Sequence, residues 1–172
     1  MATNSRMVIE PPTLDMLPIS IPPPRPGPRP ATNSGLPHTQ LDQWPSPALV
    51  ERLTQASVRL PQVTMRQTRM MTPDTWALSI SDGFALGPAE AFIDGNEFCY
   101  LHGAPSGSVH LTLPQPLRQQ VIELGWAEDH PLVTSGFLTQ PLIMVYAPRD
   151  SSELAVVLGL LEASYNFARG SW

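Results

Sequence analysis

The sequence predicts an α+β domain: an antiparallel sheet with a central hairpin, packed by two or three helices and preceded by a proline-rich irregular arm. Three observations lead there. Twelve of the 21 prolines fall in residues 1–47, so the folded body is nearer 125 residues than 172. Two alternating runs, 97–102 and 108–113, flank Gly103-Ala104-Pro105-Ser106-Gly107, which is turn chemistry. Strand-like runs come first and are followed by helix, strand and helix, which is an α+β order. The expected division is an arm over 1–45 and one domain over 46–172.

Pro22-Pro23-Pro24-Arg25-Pro26-Gly27-Pro28-Arg29-Pro30 favours polyproline II, because each ring fixes φ and removes a donor. Such a segment buries little by itself. It reads as a solvated tail dispensable for folding, or as a strap on its own body or a second subunit. A helix follows over 47–58, with Ser46 as N-cap, Pro47 at the first helical position and a Leu49, Leu53, Ala56 stripe. Strands are expected at Trp76 to Ile80 and Ala89 to Ile93, with turns at Asp82-Gly83 and Asp94-Gly95.

Symmetric pairing of the hairpin sets Tyr100 opposite His110 and His102 opposite Ser108. Alternation then sends Cys99, Leu101, Val109, Leu111 and Leu113 to a core face. Phe98, Tyr100, His102, Ser108, His110 and Thr112 go to a polar face, and Glu97 falls on the other side in a structural role. A second helix spans 116–124 and ends at Gly125. Trp126 to Pro131 form a connection carrying His130. Leu142 to Ala147 is an unbroken apolar strand with Arg149 just beyond it. Asp150-Ser151-Ser152-Glu153 opens the last helix, whose stripe is Leu154, Val157, Leu158, Leu161 and Tyr165, with Gly170 at its end.

There is no lysine. Residues 1–70 carry seven arginines and four acids; residues 71–172 carry three and eleven. An acidic body argues against a nucleic-acid groove. One cysteine, Cys99, excludes an internal disulfide and a cysteine-based zinc site. The longest apolar run, Leu154 to Leu161, is far short of a membrane span, and no signal pattern opens the chain. A soluble, cytoplasmic protein is the expectation. Phosphate-loop, dinucleotide and nucleophile-elbow motifs are absent, so neither a flavin nor a nicotinamide is expected.

The candidate catalytic residues are His102, His110, His130 and Arg149. Tyr100, Phe98, Ser108, Thr112 and Trp126 are the expected substrate-binding residues. Imidazoles can ligate a metal or move protons around an enolic substrate, and an arginine can hold an oxyanion. With only two strand histidines certain to be neighbours, no tightly held metal is expected. The Tyr100 phenol could bond His110 and fix its tautomer.

Glu97-Phe98-Cys99-Tyr100-Leu101-His102, Ser108-Val109-His110-Leu111, Gly125-Trp126-Ala127-Glu128-Asp129-His130-Pro131 and Tyr146-Ala147-Pro148-Arg149 occur in this order. Together, over about residues 85–168, they resemble the fungal luciferase-like domain family, which includes the luciferases of luminous fungi and many bacterial proteins. The fungal members add O2 to a hydroxylated pyrone without flavin or nicotinamide, forming a peroxide that loses CO2. The resemblance implies a cofactor-free pocket for a conjugated, enolic small molecule, with His102, His110, His130 and Arg149 carried over by motif. Two departures stand out: the family usually has histidine where this chain has Tyr100, and the fungal enzymes begin with a membrane anchor.

The reading that follows is a small enzyme of secondary metabolism, oxygenase-like or rearranging a ring. A non-oxidative cyclase, isomerase or lyase is one alternative. A non-catalytic binding or assembly protein, oligomeric through its arm, is another.

Overall fold

The computed structural model describes residues 21–68, 74–139 and 141–172. The first twenty residues of the arm, with Pro11, Pro12 and Pro18, lie outside the described residues. Helix α1 (Pro47–Ser57) starts as expected, its Ser46 side chain accepting the Leu49 amide, and it buries Leu49 and Leu53. Strands β1 (Val63–Gln67), β2 (Thr75–Ile80), β3 (Glu97–His102) and β4 (Val109–Thr112) follow. Then come α2 (Gln115–Glu123), β5 (Ala127–Asp129), the short α3 (Pro131–Thr134), β6 (Leu142–Val145) and α4 (Ser151–Arg169).

The strands form one antiparallel sheet in the order β1-β2-β3-β4-β6-β5, so the β3–β4 hairpin lies at its centre. Tyr100 does pair with His110, and the His102 amide donates to the Ser108 carbonyl at 3.0 Å. Helix α4 opens at Asp150, whose carboxylate accepts the Ser152 and Glu153 amides, and closes at left-handed Gly170. Its Leu154, Val157, Leu161 and Tyr165 join Leu78, Cys99, Leu101, Val109, Leu111, Ile143 and Val145 in one buried core. Among the described residues no helix is long and apolar enough to cross a membrane.

Four expectations are corrected. Ala89 to Ile93 is not a strand; Ala89–Ala91 form a 3-10 turn. The edge strands β1 and β5 were not foreseen, because Val63–Gln67 is half polar and Ala127–Asp129 is only three residues long. The β2–β3 register slips between Leu78 and Ser79, pairing Leu78 with Cys99 but Ser79 with Glu97. This bulge reverses alternation for the residues before it. Glu97 therefore shares a face with Tyr100 and His102, while Phe98 turns into the core against Tyr165, ring centroids 6.1 Å apart.

The arm also departs from the expected tail. Residues 21–45 are not a solvated tail but lie on the sheet face opposite α4. The Trp126 indole N–H donates to the Pro23 carbonyl at 2.7 Å, and the Arg25 amide to the Leu124 carbonyl at 2.8 Å. Gln40 Oε1 accepts the Ala147 amide at 3.0 Å. Arg25, His38 and Gln40 are buried.

Candidate functional site

Under the arm, register gathers one set of side chains. Thr75 pairs with His102, Tyr100 with His110, His110 with Met144, and Met144 with Glu128. The His130 amide bonds the Leu142 carbonyl at 3.2 Å, which continues the same face one step beyond β5. His38 closes over them from the arm, stacked on His110 with centroids 5.4 Å apart. All four histidines of the chain therefore share one site.

Three of them stand in file. Thr75 Oγ1 lies 3.3 Å from His102 Nδ1, and His102 Nε2 lies 2.9 Å from His110 Nδ1. His110 Nε2 lies 3.3 Å from His38 Nδ1, and His38 Nε2 lies 2.7 Å from Glu128 Oε1. The Tyr146 hydroxyl donates to the other Glu128 oxygen at 2.9 Å. A carboxylate only accepts. For neutral rings this leaves one arrangement: each Nε2–H donates onward to Glu128, and the Thr75 hydroxyl donates to His102. His130 stands beside the file, edge-on to His110 at 5.0 Å and to His38 at 5.2 Å. Its Nδ1 accepts the Leu132 amide at 3.2 Å, capping α3.

The electrostatics keep protons off most of these rings. Burial, then the neighbouring His38, brings His102 down to about 4. Burial, His38 and His102 do the same for His130, also to about 4. Fully buried His110 lies well below the ordinary range, through burial first and its three histidine neighbours second. Burial pushes the Glu128 carboxyl up, but hydrogen bonds from His38, Thr32 and Tyr146 outweigh it, so it lies below the usual range. Tyr146 is pushed up to about 12 by burial and by Glu128.

The other expected site residues are placed differently. Tyr100 is on this face, but both nitrogens of His110 are taken by His102 and His38, so the phenol does not set its tautomer. Burial, and then Glu97, holds that phenol well above its ordinary value. Ser108 Oγ bonds Ser106 Oγ at 2.8 Å, and Thr112 Oγ1 donates to the Ala91 carbonyl at 2.7 Å. Phe98 lies in the core and Trp126 anchors the arm.

Arg149 is held by Glu153 through Nε, at 2.9 Å, and through a terminal nitrogen. It also donates to the Pro26 carbonyl at 2.6 Å, and none of its hydrogen bonds reaches a histidine. His38 and Glu128 were missed. The first sat in a stretch whose prolines argued for solvation. The second was findable, since Glu128 and His130 are two apart in an extended run and so share a face.

A family profile described as "Luciferase domain" matches residues 95–164. The chain is 31% identical to a luciferase of Armillaria gallica and 30% identical to one of Armillaria mellea, over 84% of this chain and 60% of each relative. It is also 32% identical to a luciferase of Neonothopanus nambi, over 41% of this chain and 27% of that relative. The chain thus spans about three-fifths of the length of the Armillaria relatives. No solved structure matches it. The profile match runs from β3 to α4 and takes in His102, His110, Glu128 and His130. On these grounds the chain is similar to the fungal luciferases, and the resemblance to the fungal luciferase-like domain family is carried by residues 95–164.

Proposed function

We propose that the protein is a small enzyme that binds a conjugated, enolic metabolite, pyrone- or polyketide-like, against the histidine face and deprotonates it there. The observation that carries this reading is the file from Thr75 through His102, His110 and His38 to Glu128. A proton taken up at the His102 end can be passed ring to ring, each imidazole giving up one proton as it receives another, until it rests on Glu128. No imidazolium has to persist in the buried interior, where charge is costly. The relatives' printed name, luciferase, supports an oxidative outcome. The substrate carbanion would add O2 through a new C–O bond, and the file would return the proton to the distal oxygen, giving a hydroperoxide. Arg149 has no part in this reading, because Glu153 already holds it.

The test is turnover of a panel of hydroxypyrones and cyclic β-dicarbonyls by the full chain, following O2 uptake and product mass. His110→Gln keeps hydrogen-bonding capacity but cannot relay, so it should lower the rate roughly 10²–10⁴-fold. Turnover unchanged by His110→Gln would sink the relay. Conversion without O2 uptake would move the enzyme to the cyclase, isomerase or lyase class.

A further inference from the structure

We infer that His38, His110 and His130 form a binding site for one divalent first-row transition-metal ion, which the arm closes by supplying His38. One ligand nitrogen from each ring lies within 4.8 Å of the others, and all three residues are buried. His38 Nδ1 and His110 Nε2 are 3.3 Å apart. That is close to the separation of two nitrogens each bound at roughly 2.0–2.1 Å in a tetrahedral site. Three imidazoles suit zinc, iron, cobalt, nickel or copper rather than magnesium or calcium.

The surroundings have the form that metal-bound histidines use. A ligating imidazole donates its far N–H to a carboxylate or another acceptor, which fixes its tautomer. His38 already presents Nε2 to Glu128 at 2.7 Å, and Tyr146 holds the other oxygen of that carboxylate. His110 presents Nδ1 to His102, which in turn reaches Thr75. Binding therefore needs no net proton loss in the file. The proton between His110 and His38 shifts to His110 Nδ1, His102 moves its own to Nδ1, and Thr75 Oγ1 accepts it. His130 is the adjustable ligand. Ligation through Nε2 puts its proton on Nδ1, so α3 gives up the Leu132 amide bond, a small change in a four-residue helix. An ion bound here takes the two nitrogens of the His110–His38 hydrogen bond, so the relay proposed above belongs to the metal-free chain, and metal binding is read without turnover.

The full chain, stripped with chelator and dialysed, is titrated with Co2+ and with Zn2+, by calorimetry and, for cobalt, by visible absorption. One equivalent should bind, with a tetrahedral cobalt spectrum. His38→Ala and His130→Ala should each abolish that stoichiometric step while circular dichroism stays unchanged. Glu128→Gln changes no ligand and should weaken binding about 10–100-fold at unchanged stoichiometry. It keeps the test open if a histidine variant misfolds. No stoichiometric binding to the wild-type chain, or binding undiminished in Glu128→Gln and His38→Ala, would overturn the site.

Discussion

Between Leu78 and Ser79 the register of β2 against β3 slips by one residue, and the neighbouring side chains exchange faces. Phe98, which alternation assigns to the polar face, is fully buried against α4. Glu97, which alternation assigns to the other side, comes to stand near Tyr100. A bulge leaves no mark in the hydrophobic pattern, because Glu-Phe-Cys-Tyr-Leu-His reads as plain alternation either way. His102 and His110 were legible since they lie beyond the slip, where the hairpin loop fixes the register. His38 was not, because nothing local to Leu36-Pro37-His38 shows that a ring in an irregular segment is buried. Phe98→Ala should therefore act as a core truncation, costing roughly 3–5 kcal/mol in denaturant unfolding. Ligand affinity of the folded fraction should stay unchanged; a loss of affinity without loss of stability would return Phe98 to the site.

The elements carrying strong end signals were readable: Ser46 before α1, Asp150 before α4, and left-handed Gly125 and Gly170 after α2 and α4. The edge strands were not, since each buries one face at most and depends on its neighbour for definition. The packing of α4 also depends on a contact with no sequence signature. Gly87 donates its amide to the Ala168 carbonyl at 2.9 Å, so the backbones meet directly. A Cβ at Gly87 would lie 2.1 Å from the Phe167 carbonyl oxygen. No side chain can move aside there, so Gly87→Ala must displace the end of α4 or the loop. A destabilisation above about 2 kcal/mol is expected in thermal or denaturant unfolding, in the range of substitutions that disrupt the core. A neutral result would mean that the loop does not pack on α4 in solution.

At the scale of the molecule, the arm is the second cover of the sheet. Deleting residues 1–40 removes the bonds of Pro23, Arg25, His38 and Gln40 to the body. At roughly 0.5–1.5 kcal/mol each, these four should cost about 2–6 kcal/mol in denaturant unfolding, where a dispensable tail would cost nothing. Acid should loosen the same attachment. Burial raises the Glu153 carboxyl, but hydrogen bonds from Arg149 and the charges of Arg25 and Arg149 outweigh it, so it titrates below its ordinary 4.5. A carboxylate depressed in the fold contributes stability that is fully present above the unfolded value and lost as pH falls through the folded one. Hydrogen-exchange protection over residues 21–45, taken relative to the intrinsic rate at each pH, should therefore fall below pH 4.5, where Glu153 protonates and releases Arg25 and Arg149. Glu153→Gln should shift that onset, and an arm already in fast exchange at neutral pH would contradict its docking.

The candidate site depends most on His38, which comes from the arm and completes a file of three histidines. Nitrogen-labelled histidine NMR on the metal-free full chain at neutral pH tests this directly. The predicted spectrum has slowly exchanging Nε2–H protons on His38, His110 and His102, linked by cross-peaks in that order. In His38→Ala the His110 proton should lose its protection while the His102 proton persists. Four imidazoles exchanging freely with solvent, with His38 showing no cross-peak to His110, would contradict the site.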